Sequence, residues 1–275
     1  MGRSMAGHIL NAGYKLHVYT RTKNKAEDII LKGGVWEGTI AELSAKSDII
    51  ITIVGFPADV EEVYLGRDGI LNHAAKGSVV IDMTTSSPDL AIEIYNQSKG
   101  KNIESLDAPV SGGDLGAKNA SLSIMVGGDK KIFDKMMPLF KVMGENIVFQ
   151  GKAGAGQHTK MANQIAIAAG MVGVCESLAY AEKSGLDPET VLKSIGKGAA
   201  GSWSLNNLGP RMIAKNFEPG FYIKHFIKDM NIAVTSSRHL GLKTPGLDLA
   251  LSLYKEMAKM GLENNGTQGL FKLFI

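Results

Sequence analysis

The hydrophobic pattern changes character partway along the chain. Up to about Gln150, short Val- and Ile-rich runs alternate with stretches in which apolar residues recur every three or four positions. LHVYT, DIIITIVGF, SVVIDM, ESLDAPV, LSIMVG and NIVFQ, bounded by Gly, Pro, Asp or Ser, read as strands. Most of the segments between them read as helices. Two helix starts are marked: Thr39 with Glu42 forms a capping box, and Ser87 with Pro88 is a favoured N-cap and first-turn pair. Such alternation predicts a parallel sheet covered by helices.

Farther on, no strand signal of similar quality returns. HTKMANQIAIAAGMVGVCESLAYAEK carries small and apolar residues at helical spacing for longer than an ordinary helix, which predicts an interdomain helix over about 156–183. Asp187 and Pro188 cap another helix, and helical patterns follow near 202–215, 226–240 and 247–260. The expected architecture is an α/β Rossmann-type N-terminal domain over 1–152 and an all-α C-terminal domain over 153–275, joined by the long helix. No internal repeat is evident.

The start of the chain departs from the usual order. MGRSMAGHILNAG enters a helix directly, closed by Gly13 and followed by the strand LHVYT. A dinucleotide domain normally places a strand first, and a GxGxxG turn then sets backbone N–H groups at a helix N-terminus under the pyrophosphate. Only the last glycine of that fingerprint, Gly2 beside Met1, is present, so two open strand edges and half a phosphate cradle are expected. After LHVYT, where an NAD-binding protein carries Asp or Glu, come Arg21 and Thr22, with no carboxylate close by in the sequence. A guanidinium there suits the 2′-phosphate of NADP, which is favoured over NAD.

Charge and composition narrow the function class. Lys plus Arg number 30 against 27 Asp plus Glu, so no basic field points to nucleic acid or an anionic membrane. The single cysteine, Cys175, excludes an internal disulfide and sits in a helical pattern as a core residue. His8, His73, His158, His225 and His239 show no ligand spacing, and His17 lies in a strand, so no metal is expected. No apolar run reads as membrane-spanning, and the opening residues lack the features of a signal peptide. The expectation is a soluble, cytoplasmic protein.

Several segments carry candidate chemistry. Lys160, Asn163 and Gln164 share one face at the head of the long apolar helix. Burial and the helix dipole would both disfavour the Lys160 ammonium, moving the lysine toward acid/base competence near neutrality. In DAPVSGG the small residues leave backbone N–H groups and the Ser111 hydroxyl open to a carboxylate. Thr84 and Thr85, in DMTTSSP, end a strand at the face where α/β sheets take ligands. Each has a plainer reading: a solvated lysine, a glycine loop and a helix cap.

Four segments in order, DMTTSSP, DAPVSGG, GKAGAGQHTKMANQ and KHFIKD, resemble the β-hydroxyacid dehydrogenases, a family including 3-hydroxyisobutyrate dehydrogenase and tartronate semialdehyde reductase, over nearly the whole chain. The resemblance implies hydride transfer between NADP and a small 3-hydroxyacid or its semialdehyde, with Lys160 as catalytic acid/base. It further implies that Ser111, Gly112, Gly113 and Asn163, with Gln164 beside them, hold the substrate acid. Met1, Gly2, Arg21, Thr22, Thr84, Thr85, the loop Val54, Gly55, Phe56, Pro57, and Lys228 of the KD pair would meet the cofactor. A homodimer or homotetramer is implied too. The chain departs from the family at Gln164, where a second Asn is common, and at Asn264 and Asn265, where an acid is common. The alternatives are a catalytically silent nucleotide-binding or scaffold protein, and a relative acting on phosphosugar acids or imines.

Overall fold

The computed structural model describes residues 1–275. The chain forms two compact units, Met1–Lys160 and Met161–Ile275. The first contains α1 (Gly2–Asn11), β1 (His17–Val18), a 3-10 turn leading into α2 (Glu27–Leu31), β2 (Val35–Trp36), α3 (Ile40–Ala45), β3 (Ile49–Thr52), α4 (Pro57–Leu65) and α5 (Ile70–His73). Then come β4 (Val79–Asp82), α6 (Pro88–Gly100), β5 (Glu104–Asp107), β6 (Val110–Ser111), α7 (Gly113–Lys118), β7 (Leu122–Gly128), α8 (Lys130–Phe140), β8 (Gly144–Gly151) and the head of α9 (Ala155–Lys183).

Local chemistry sets these boundaries. α1 ends where Gly13 takes φ +89°, and the N–H groups of Gly13 and Tyr14 turn back to the carbonyls of Leu10 and Ile9. The capping box of α3 is complete: Thr39 Oγ1 accepts from Glu42 N at 3.1 Å, and Glu42 Oε2 accepts from Thr39 N at 3.1 Å. Ser87 caps α6, with Pro88 in its first turn. β2 is the strand the hydrophobic pattern does not announce, being two residues long with Val35 exposed.

β3, β4 and β5 run parallel, and β7 pairs antiparallel with β5 and β6 and parallel with β8. β1 and β2 form a separate two-stranded parallel sheet. β1 therefore pairs only with β2 and β3 only with β4, which leaves one edge of each without a strand partner. The larger sheet is buried on both faces. Val79 and Ile81 join Met5, Ile9, Leu106 and Phe140 on one side, and Val80 joins Ile50, Val60, Tyr64 and Ile94 on the other. Two-sided burial explains why SVVID is continuously apolar up to its carboxylate.

The second unit is helical: the rest of α9, α10 (Pro188–Ile195), α11 (Trp203–Ile213), α12 (Ile223–His239), α13 (Pro245–Lys259) and a 3-10 segment, Thr267–Leu273. Its core includes Met171, Leu178, Met230 and Met257, with Phe226 edge-on to Tyr254 at 5.0 Å. Cys175 lies within it, and burial pushes its thiol up, which removes it as a nucleophile at neutral pH. The expectation that no run could span a membrane is overturned in one respect: α9 has the length and apolar content to cross a bilayer. The cause is its role as a core helix, with Ala168, Met171 and Cys175 in the interior.

Candidate active site

The candidate site of the first unit grows from one row across the sheet. Thr52, Asp82 and Asp107 are register partners at the carboxyl ends of β3, β4 and β5, and Gly127 of β7 follows. Parallel strands present their ligand-bearing loops at that end. Thr52 Oγ1 donates to Asp82 Oδ1 at 2.9 Å and lies 2.9 Å from the Tyr64 hydroxyl. Burial raises Asp82 to about 6, with hydrogen bonds from Thr84 and Thr52 opposing the rise.

The loop after β4 is held from below and from the side. Thr84 N donates to Asp82 Oδ1 at 3.0 Å, and Thr84 Oγ1 accepts from Val54 N at 3.0 Å. Thr84 is thus fixed against the Val54–Pro57 loop, while Thr85 beside it is half-buried.

Asp107 anchors the head of α9. Its Oδ1 accepts from Gly154 N at 2.8 Å and its Oδ2 from Gln157 N at 2.9 Å. Burial raises this carboxyl as well, and the backbone N–H groups counter that. One turn beyond Gln157 stands Lys160, buried at 7% exposure. The expectation of a lysine shielded from water is met.

Ser111 ends β6, and the chain turns through Gly112 at φ +121° and Gly113 at φ +64° into α7. Residues with side chains rarely adopt those angles, so this turn requires its two glycines. α1 and α7 lie side by side, since His8 Nε2 is 3.0 Å from the Ala117 carbonyl while the Met1 amine is 3.6 Å from Asp114.

The same carboxyl end of the strands suits a dinucleotide. A Cβ on Gly2 would come 2.7 Å from Ile53 Cγ2, so only glycine lets α1 approach β3 this closely. α1 has neither an acidic residue in its first turn nor a capping side chain, which leaves its positive end suited to phosphate. Arg21 and Thr22 are exposed after β1. The absence of carboxylates around Arg21 is a sequence expectation the structure corrects: Arg21 Nη2 lies 2.6 Å from Asp59 Oδ1 and 3.5 Å from Glu62. Asp59 Oδ2 also accepts from Phe56 N at 2.9 Å, so one carboxylate joins Arg21 to the Val54–Pro57 loop. Phe56 itself is exposed.

In the second unit, Asn163, Gln164, Lys228 and Asp229 form one chain of contacts. Asn163 Nδ2 donates to Gln164 Oε1 at 2.7 Å, and Gln164 Nε2 donates to Asp229 Oδ2 at 2.6 Å. Lys228 Nζ lies 2.8 Å from Asp229 Oδ1. Gln164 is enclosed and its amide is engaged at both ends, which makes it a support for Asn163. Lys224 instead donates to Asn264 Oδ1 at 2.9 Å on the exposed side. The Gln164–Asp229 contact joins residues 65 apart and escapes the sequence reading. So do Asp82 and Gln157, whose signal is a polar side chain inside an otherwise buried segment.

Carboxyl-end loops over a parallel sheet, a glycine-tight helix N-terminus and a buried lysine at the head of a long helix define a nicotinamide-dependent oxidoreductase. Two family profiles cover the chain: the NAD binding domain of 6-phosphogluconate dehydrogenase matches residues 1–151, and that described as NAD-binding of NADP-dependent 3-hydroxyisobutyrate dehydrogenase matches 154–274. An uncharacterized oxidoreductase of Bacillus subtilis is 61% identical over 100% of this chain and 96% of its own. A probable mitochondrial 3-hydroxyisobutyrate dehydrogenase-like protein of Arabidopsis thaliana is 46% identical over 98% of this chain and 81% of its own. Among solved structures, Mycobacterium tuberculosis 3-hydroxyisobutyrate dehydrogenase with L-serine superposes with a TM-score of 0.90 at 26% identity, covering 99% and 95% of the two chains. The chain belongs to the β-hydroxyacid dehydrogenase family and is an NAD(P)-dependent hydroxyacid dehydrogenase, acting on CH–OH donors.

Proposed function

We propose that the chain oxidises a small 3-hydroxyacid to its semialdehyde, or reduces the semialdehyde, with NADP as cofactor. The substrate class is 3-hydroxyisobutyrate or tartronate semialdehyde. The observation that carries this reading is Lys160: a lysine residue only 7% exposed, one turn beyond the Asp107-anchored start of α9. The nicotinamide supplies or takes the hydride at its ring. Lys160 takes the hydroxyl proton during oxidation and returns it during reduction. Ser111, the N–H groups of the Gly112–Gly113 turn and Asn163 hold the substrate carboxylate.

Gly2 and the α1 N-terminus receive the pyrophosphate, Val54–Pro57, Thr84 and Thr85 line the cofactor, and Lys228 adds positive charge near it. Arg21 supports the NADP preference, with Thr22 beside it. For a 2′-phosphate to engage, the exposed Arg21 guanidinium exchanges Asp59 for the ligand, while the half-buried Asp59 keeps its bond from Phe56 N. Self-association is part of the same reading. Ala162, Ala166, Gly170 and Gly173 are exposed along α9, and small residues permit close helix contact.

The test is a fluorescence titration with NADPH and NADH, followed by turnover of 3-hydroxyisobutyrate, L-serine and tartronate semialdehyde. Tighter NADPH binding with turnover of a three- or four-carbon hydroxyacid is expected. Binding without turnover of any of them would remove the catalytic reading.

A further inference from the structure

One buried amide joins the two segments on which the reaction geometry depends. Gln157 has no solvent exposure, and all of its polar side-chain atoms are engaged. Its Nε2 donates to the Thr84 carbonyl at 2.8 Å, and its Oε1 accepts from Ser86 N at 2.9 Å. Its own backbone N–H goes to Asp107 Oδ2. The same Thr84 closes a run of hydrogen bonds through Asp82 and Thr52 to Tyr64. A side chain that bridges strand-end loop and helix head in this way fixes their spacing, since neither buried partner can turn to water.

The backbone around it has no slack. A Cβ on Gly156 would lie 2.4 Å from the Met125 carbonyl and 2.6 Å from that of Asp107. A Cβ on Gly127 would lie 2.5 Å from Asp107 Oδ1 and 2.7 Å from Gly156 N. The helix head therefore sits directly on β5 and β7, and its rotation about that seat is set by what Gln157 grips.

We propose that Gln157, seated on Asp107, is a positioning residue that ties the Thr84–Ser86 segment to the turn of α9 carrying Lys160. The inference rests on the reading of Lys160 as the acid/base. Gln157 touches no reacting atom. It sets the separation between the segment along the cofactor and the amine that moves the proton.

Gln157→Met keeps length and volume while deleting both side-chain hydrogen bonds. With NADP and the hydroxyacid the wild-type protein turns over, kcat is expected to fall on the order of 10²-fold, the scale of a misplaced reacting group. NADPH affinity should change far less, and the primary deuterium isotope effect on hydride transfer should rise as the chemical step becomes limiting. In the cofactor-free protein, amide exchange should quicken together in 84–86 and 154–160. Unchanged kcat and isotope effect, with only a lower Tm, would overturn the proposal by reducing Gln157 to a structural residue. If Gln157→Met fails to fold, Asp107→Asn decides by the same readouts, because an amide cannot accept both N–H groups. Lys160→Ala run in parallel separates the two ideas. Retained turnover in that variant defeats the acid/base reading, whereas an inactive Lys160→Ala beside a wild-type-like Gln157→Met defeats this inference alone.

Discussion

Among the buried carboxyls of the first unit, Asp82 ties its stability to pH most plainly. Its folded value of about 6 lies above the ordinary 3.8, so the folded protein holds the proton more tightly than the unfolded chain. The resulting stabilisation is complete below about 3.8 and is lost as pH rises through about 6. Asp82→Asn cannot ionise, so the stability difference between wild type and variant should shift by about 3 kcal/mol against the wild type across that window. Urea unfolding at several pH values measures it, and a pH-independent difference would return Asp82 to ordinary behaviour. Arg21 makes the second prediction at this scale. Arg21→Ala should weaken NADPH on the order of 10–100-fold with little effect on NADH, since a charge-assisted phosphate contact is lost. Glu62→Gln should do the reverse, tightening NADPH by removing a competing carboxylate, as titration of both cofactors would show.

Among the elements, the head of α9 is the most constrained. Gly156→Ala forces a methyl against the carbonyls of Met125 and Asp107, and overpacking of this kind destabilises by about 1–3 kcal/mol. Chemical denaturation should show that loss together with a lowered kcat; a variant as stable as wild type would mean the seat is looser than it looks. The six strand runs, the capping box at Thr39 and the Ser87–Pro88 start were legible in the sequence because their causes are local, although LHVYT yields only the two residues of β1 and ESLDAPV holds both β5 and the start of β6. β2 was not, since two residues with one exposed give no period. The contacts that build the candidate site are also non-local: Ser86 and Gln157 are 71 residues apart, and Arg21 meets Asp59 across 38. Motif order pointed to Lys160 and Ser111–Gly113. Only coordinates show that Asp107, Gln157 and Asp82 hold one end of the sheet together.

At the scale of the whole molecule, family membership supplies the chemistry and the two units supply different parts of it. The first carries the strand-end loops, the glycine-tight α1 and Lys160; the second carries Asn163, Gln164, Asp229 and Lys228. The exposed small-residue face of α9 belongs to the proposed self-association. Ala166→Arg should shift the protein to monomer in light scattering, and an oligomer that persists would place the interface elsewhere. The most direct test of the central claim is the rate of hydride transfer with Lys160→Ala. The account predicts a fall of about 10²–10⁴-fold in kcat, the usual loss for a general acid/base, with NADPH binding retained. Turnover equal to wild type would contradict it.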